Sequence, residues 1–217
     1  GRVRRALAMA KNMIELPRLP NVKTDGTWSF PSRSSHSYGR RHLYAILTGY
    51  ELWNEIIKLK DTHYLLPGKS TAEKAKYWRL LACAYINTDR PEEGKTLLAK
   101  MGSLLNSQRE GKTKAGATAE AKAKKEKKKT RDIKKAKSDA ERPYSTAIST
   151  LERGLAEARM YLALKTKNLE EAKAQYSKVR DFRSERKALL QLKFGNQDEA
   201  IKLAASAVKS ATEQARP

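Results

Sequence analysis

Residues 104 to 150 form an Ala-, Lys- and Glu-rich tract that restricts the fold of this chain more than any other stretch. These residue types favour helix. Glu110 with Lys114, and Glu120 with Lys124, have the i,i+4 spacing of helical ion pairs. The tract is therefore either a long helical hairpin or a disordered lysine-rich linker, and we favour the hairpin.

Three residues of the tract oppose a single unbroken rod. Gly111 and Gly116 weaken a helix interior, and Pro143 breaks a helix, kinks it or occupies its first turn. We therefore expect two arms joined by a turn near Lys127 to Arg131. A stripe of small residues would let the arms approach closely: Ala115, Ala119 and Ala123.

The rest of the chain is also predicted to be helical. Ala, Leu, Lys and Glu dominate, while Val and Phe are few. Apolar spacing predicts a helix over residues 2–16 and a helix pair over 37–61, divided at Gly49-Tyr50. The intervening residues 17–36 are predicted to be a long loop. Either Trp28 and Phe30 pin it onto the helices, which we favour, or it is a binding loop. The predicted class is all-α.

The sequence Pro67-Gly68-Lys69-Ser70 resembles the end of a phosphate-binding loop. Such a loop needs Gly five residues before the Gly-Lys pair and a preceding strand, but His63 stands at that position and the preceding pattern is helical. Ser70 and Glu73 instead have the spacing of a helix capping box. This stretch is predicted to be a turn and a helix start.

The helix that follows carries a family pattern. Residues 77–101, YWRLLACAYINTDRPEEGKTLLAKM, have large and small side chains at the spacing of the tetratricopeptide repeat, a helix-turn-helix unit. The matching positions are Trp78, Leu81, Ala82, Tyr85, Gly94, Leu98 and Met101. Asp89 stands where the family usually has Gly, and Met101 where it usually has Ala. The stretch resembles this family, which implies that Trp78, Tyr85 and Leu98 are core.

Weaker copies of the same pattern occur elsewhere in the chain. Ala172, Tyr176 and Val179 follow a turn at Lys167-Asn168, and Ala200 and Ala207 follow a turn at Gly195. The resemblance implies an array of antiparallel helix pairs wound into a right-handed superhelix.

The expected organisation has three segments. Residues 1–103 hold N-terminal helix pairs with the long loop at 17–36, residues 104–150 the Lys/Ala-rich hairpin insert, and residues 151–217 C-terminal helix pairs. Residues 7–17 (LAMAKNMIELP), residues 38–57 (YGRRHLYAILTGYELWNEII) and the Ala/Lys insert carry a second, fainter pattern. Together they resemble the C-terminal helical region of large bacterial multidomain proteins that carry a redoxin domain upstream.

Catalytic chemistry is not indicated. His36, His42 and His63 have no metal-ligand spacing, and the single cysteine, Cys83, lies in an apolar helical stretch where a buried, inert thiol is expected. No nucleophile with an ordered base is visible. We therefore predict a protein that is not an enzyme and that uses no cofactor or metal.

The repeat resemblance implies a partner groove lined by the first helix of each pair. Its predicted lining residues are Lys76, Arg79, Asn87, Tyr161, Lys165 and Lys193. A basic groove with some apolar surface is suited to an acidic or amphipathic peptide, or to another domain of the same chain. The expected function is thus a non-catalytic scaffold for protein–protein or interdomain interaction.

The alternative is nonspecific binding of nucleic acid or another polyanion. The formal net charge is +22, and the tract contains a lysine cluster suited to phosphate contact. The predicted contacts are Lys124, Lys125, Lys127, Lys128 and Lys129. Because Tyr144 is the tract's only aromatic residue, base stacking would have little to work with.

The sequence gives few indications of cellular context. The longest apolar run, Leu80 to Ile86, is too short to span a bilayer. The chain begins with Gly rather than Met, so we expect it to be part of a longer protein. No signal peptide is visible, and the single cysteine does not indicate the redox compartment. The fainter resemblance implies a bacterial protein, either cytoplasmic or exported.

Overall fold

The computed structural model describes residues 2–22, 24–30, 33–179 and 182–214, without the side chains of Trp28 and of residues 210–214. Helix dominates these ranges, and the predicted all-α class is confirmed. The helices are α1 Arg2–Glu15, α2 Ser35–Gly49, α3 Trp53–Leu59, α4 Thr71–Asn87, α5 Pro91–Lys125, α6 Thr130–Lys165, α7 Leu169–Tyr176, α8 Ser184–Lys193 and α9 Gln197–Gln214. Two antiparallel strands of two residues each, β1 Asn21–Val22 and β2 Trp28–Ser29, lie in the loop after α1.

The chain divides into two compact units. Unit 1 comprises Gly1–Leu66 and Phe182–Pro217, and unit 2 comprises Pro67–Asp181. The predicted segment boundaries at 103/104 and 150/151 stay a prediction. Helices α5 and α6 run through those positions without a break.

In unit 1, α1 packs on α2, and α8 packs on α9. Gly39 of α2 permits the first contact, because a Cβ there would lie 2.8 Å from the Ala10 carbonyl oxygen and 2.9 Å from the Ile14 nitrogen. The α8 side chain Arg186 is buried, with its guanidinium 5.8 Å from the centre of the Trp53 ring. That cation–π contact joins α8 to α3.

The loop between α1 and α2 is more exposed than the sequence suggested. Phe30 is 46% exposed, and the Arg18 guanidinium lies 5.5 Å from its ring centre. Phe30 is thus only partly buried, and the prediction that it pins the loop onto the helices stays a prediction. The side chain of Trp28 lies outside the described residues.

In unit 2, α4 packs against both α5 and α6. The middle of α4 is consequently buried on several sides, from Leu80 to Ala84. The predicted core residues Trp78, Tyr85 and Leu98 are only partly buried. Trp78 and Leu98 nevertheless pack against the core cluster formed by Ala75, Met101, Leu105, Leu151 and Leu155, so their predicted core role is confirmed in part, and the repeat register stays a prediction.

The connection into α4 confirms the predicted capping box. The Ser70 hydroxyl accepts a hydrogen bond from the Glu73 backbone N–H (3.2 Å), and the Ser70 N–H donates to the Glu73 carboxylate (3.1 Å). The stretch that resembles a phosphate-binding loop is therefore the N-terminal cap of α4.

Helices α5 and α6 form a hairpin of 35 and 36 residues. At the rise of an α-helix, each arm is about 50 Å long. The glycines that argued against a continuous helix lie where the arms touch. A Cβ on Gly111 would lie 2.7 Å from Tyr144 Cε1, and one on Gly116 would lie 2.4 Å from Glu141 Oε1. Pro143 lies inside α6, which continues past it. Close approach between the arms explains both glycines.

Five connections between helices share one turn geometry. In each, the second residue after the helix has a positive φ: Glu51, Asp89, Lys127, Lys167 and Gly195. The next N–H donates to a carbonyl five residues earlier, at 2.8–3.1 Å, as in a Schellman turn. Asp89 forms this turn without a glycine, since Asp tolerates the left-handed region better than most residues.

Candidate binding cleft and basic tip

A cleft of about 910 Å³ lies in unit 2 between α5, α6 and the end of α7. Its wall on α5 presents Gly102, Leu105, Asn106 and Arg109. These residues share one helical face by their i, i+3, i+4 and i+7 spacing. The wall on α6 has the same regularity. Its residues are Ser149, Glu152, Arg153, Leu155, Ala156 and Arg159.

The floor of the cleft is apolar. Leu105 and Leu155 are buried and belong to the main core cluster of unit 2, together with Met101 and Leu151. Ala156 is also buried. The floor is therefore part of the packing that holds α5 against α6, and its position is fixed by the core.

The rim of the cleft is basic. Arg109, Arg153, Arg159 and Lys178 surround it, and the only carboxylate among its lining residues is Glu152. Arg109 Nη2 contacts Glu152 Oε1 at 2.7 Å. Arg159 and Lys178 are exposed, and no described carboxylate lies within ion-pair distance of either. A net charge of about +3 over an apolar floor favours an anionic ligand with some apolar surface.

Beneath the surface of unit 2 lies one ion pair that the sequence did not predict. Arg79 Nη1 of α4 is 3.3 Å from Glu157 Oε2 of α6, and Glu157 is 2% exposed. The Cys83 thiol donates to the other Glu157 oxygen at 4.0 Å. Cys83 itself is buried, which confirms that part of its prediction.

The residues of unit 2 that were predicted to line a partner groove have different surroundings. Tyr161 is 1% exposed, so its predicted place in a groove is corrected to the core. The Asn87 amide donates to the Cys83 carbonyl at 2.8 Å, and Lys165 pairs with Asp89. Both of these side chains thus bind partners within unit 2.

Two predicted groove lysines have different surroundings. Lys76 is exposed on α4. Lys193 belongs to unit 1, where its Nζ lies 2.5 Å from Glu51 Oε2. The cleft arginines were missed because no repeat pattern marks them. The sequence feature that could have identified them is their spacing, which places them on one face of α5 and one face of α6.

The end of the α5–α6 hairpin is strongly basic. We define the basic tip as residues 122–137, which hold ten Lys and Arg against two acidic residues. The five lysines predicted as polyanion contacts all lie in the tip and are exposed: Lys124, Lys125, Lys127, Lys128 and Lys129. The turn itself uses Lys127 at φ +53°.

A few carboxylates partly neutralise the basic tip. Glu120 accepts from Lys124 (2.7 Å) and from Lys137 (3.0 Å) on the opposite arm, and these hydrogen bonds lower its pKa to about 2. Lys128 pairs with Glu126 at 2.8 Å, which raises the pKa of Lys128. Seven of the ten basic side chains of the tip pair with no described carboxylate.

The histidines form no site in the part of the chain that the structure describes. Burial, with the nearby charges of Arg18, Arg40 and His63, lowers the pKa of His36 to about 4. Within the described ranges, no group of three His, Cys, Asp or Glu side chains is arranged to hold a metal ion. Among the described helices, none combines the length and apolarity that a membrane crossing requires.

A scan against models of known protein families finds no match, and searches of curated proteins and of solved structures find no significant match. The function is therefore inferred from the chain's own cleft, tip and turns.

Proposed function

We propose that this chain is a non-catalytic helical-repeat module that binds an acidic, amphipathic segment in the cleft of unit 2. The segment belongs to a partner protein or to another domain of the same chain. The observation that carries the proposal is the composition of the cleft, four basic side chains around an apolar floor with one carboxylate. Such a site pairs with carboxylates at its rim and covers apolar side chains at its floor.

The order of helix contacts supports a tetratricopeptide-like array. Helix α4 packs on α5 and on α6, and α6 packs on α5 and on α7. In such arrays the first helix of a pair contacts its own partner and the neighbouring pair. The recurrent Schellman turn adds a second regularity. It ends the first helix of each proposed pair, α2, α4, α6 and α8, and it also ends α5 at the tip of the hairpin.

The proposed pairs depart from the family in length. A repeat of this family comprises a pair of helices in about 34 residues. Helices α5 and α6 hold 35 and 36 residues, so each of them alone is as long as a whole repeat unit. In this proposal the hairpin insert is the continuation of two repeat helices. The cleft lies where those helices leave the body of the array.

The proposal is tested with a fluorescein-labelled amphipathic peptide that has Glu on one helical face and Leu on the other. Fluorescence anisotropy should detect binding of this peptide, and no binding of a counterpart with Lys in place of Glu. Arg153→Glu with Arg159→Glu should weaken binding about tenfold or more, which corresponds to about 1.4 kcal/mol.

The matched control changes the same charge outside the cleft. Lys74 and Lys100 are exposed in unit 2. Lys74→Glu with Lys100→Glu should change the affinity less than about threefold. Equal losses in both variants would show that net charge, and not the cleft, attracts the peptide. Absence of any binding by the acidic peptide would also contradict the proposal.

A further inference from the structure

We propose that the basic tip binds the phosphate backbone of duplex nucleic acid without sequence preference. The first support is concentration of charge. Residues 106–145 hold 14 basic and 6 acidic side chains, a net charge of +8. The tip alone holds ten basic and two acidic ones, which is the same net charge. The arms behind the tip are therefore neutral on balance.

The second support is distance from the cleft. Lys122, the first residue of the tip, follows Arg109 by 13 residues on the same arm, which is about 20 Å at the rise of an α-helix. Charges separated by more than the Debye length of about 8 Å at physiological salt are largely screened from each other. The tip and the cleft therefore act as independent sites.

The third support is the shape of the tip. Two helices packed about 8–10 Å apart present an end about 20 Å across. That width exceeds the major groove of B-DNA, about 12 Å. Lysines on the two arms thus reach phosphates of both strands across one groove.

The chemistry of the tip favours a duplex backbone over single strands or lipid. Residues 122–137 contain no aromatic residue for stacking on unpaired bases. Ile133 is their only large apolar residue, so the tip lacks the apolar face that anchors a protein in a membrane interface. What the tip offers is ammonium groups, which bind phosphates as point charges.

The test measures anisotropy of fluorescein-labelled DNA duplexes about two helical turns long, in two unrelated sequences, between about 50 and 200 mM salt. Both sequences should bind equally. About four simultaneous phosphate contacts would give a slope of log K against log salt of about −3.6. A preference above about tenfold between the sequences would contradict backbone recognition.

The tip variant replaces four of the basic side chains that pair with no described carboxylate: Lys125→Gln, Lys127→Gln, Lys129→Gln and Arg131→Gln. It should lose at least about tenfold in affinity at about 100 mM salt and give a clearly shallower slope of log K against log salt. The matched control removes the same charge from exposed positions elsewhere: Lys74→Gln, Lys100→Gln, Lys173→Gln and Lys202→Gln. The control should keep its affinity within about threefold and keep its slope.

Three outcomes would overturn the proposal. The control variant loses as much as the tip variant, the tip variant keeps the slope of the unmodified protein, or phosphatidylserine vesicles bind the tip more tightly than DNA does. The cleft variant Arg153→Glu with Arg159→Glu should bind DNA within about threefold of the unmodified protein. That comparison separates failure of the tip from failure of the cleft.

Discussion

The contact between α1 and α2 gives the sharpest prediction of packing. Gly39→Ala places a Cβ 2.8 Å from the Ala10 carbonyl oxygen and 2.9 Å from the Ile14 nitrogen. Both are backbone atoms of α1, so rotation of a side chain does not relieve the contact and α1 must move. Alanine in place of glycine favours helix by about 1 kcal/mol, whereas overpacking costs about 1–3 kcal/mol, and more where backbone must shift. We expect a net loss of about 1–2 kcal/mol.

Gly49 of the same helix is the matched control. A Cβ there meets nothing within 4 Å, and its φ is not positive. Gly49→Ala should therefore stabilise unit 1 by up to about 1 kcal/mol through helix propensity. The two alanine variants differ in contact with α1, so the difference between them measures that contact.

Urea unfolding followed by tryptophan fluorescence measures both variants. In a Trp78→Phe background the remaining tryptophans, Trp28 and Trp53, both belong to unit 1 and report its unfolding. A Gly39→Ala protein as stable as the unmodified chain, or more stable than it, would refute the packing of α1 on α2.

Other predictions concern a turn, the core and two ionisable groups. Lys167 has a φ of +58°. Glycine adopts that conformation without strain, so Lys167→Gly should raise the free energy of unfolding of unit 2 in urea by up to about 1 kcal/mol. Leu151 is fully buried. Leu151→Ala should therefore lower the free energy of unfolding of unit 2 by about 2–5 kcal/mol. A loss below about 1 kcal/mol would show that Leu151 is not part of the core. The pKa of His36 is lowered from 6.5 to about 4 in the folded protein. Between these two pH values the unfolded chain therefore binds a proton at His36 that the folded chain does not bind. Stability should fall as the pH drops through that range, and His36→Gln should flatten that part of a pH series of urea midpoints. Glu157→Gln should destabilise unit 2 because it leaves the Arg79 charge partly buried without its counter-ion, and a double-mutant cycle with Arg79→Met should recover part of the loss.

Local signals in the sequence predicted local structure well. The Ser70–Glu73 capping box formed as expected because all of its atoms come from one short consecutive stretch. The helix over residues 2–16 and the break near Gly49 also agree with α1 and with the end of α2. Such features depend on propensity and hydrogen bonds within one turn.

Features that depend on neighbours were not predictable from one stretch alone. Gly111 and Gly116 looked like helix breakers, but they are where Tyr144 and Glu141 of the opposite arm approach α5. The burial of Tyr161 depends on how α6 packs, and a repeat motif placed it on a groove. The basic residues of the cleft lie on α5, on α6 and just after α7, so their convergence is a property of the packing and not of any local pattern.

Because the helices of the hairpin are uninterrupted, the number of residues in each arm determines how far the basic tip extends and which helix faces meet there. No loop interrupts α5 or α6 between the body of unit 2 and the basic tip. The number of residues along each arm therefore fixes the direction in which the side chains of the tip point. Deleting one residue from each arm would retract the tip by about 1.5 Å and turn each helix beyond the deletion by about 100° about its own axis, so that the faces by which the arms pack would no longer meet. Deleting seven from each would retract the tip by about 10 Å yet turn each helix by only about 20°. Chains that share this architecture are therefore expected to differ in arm length by steps of seven residues, because such steps change the length of the hairpin but keep the orientation of its helix faces.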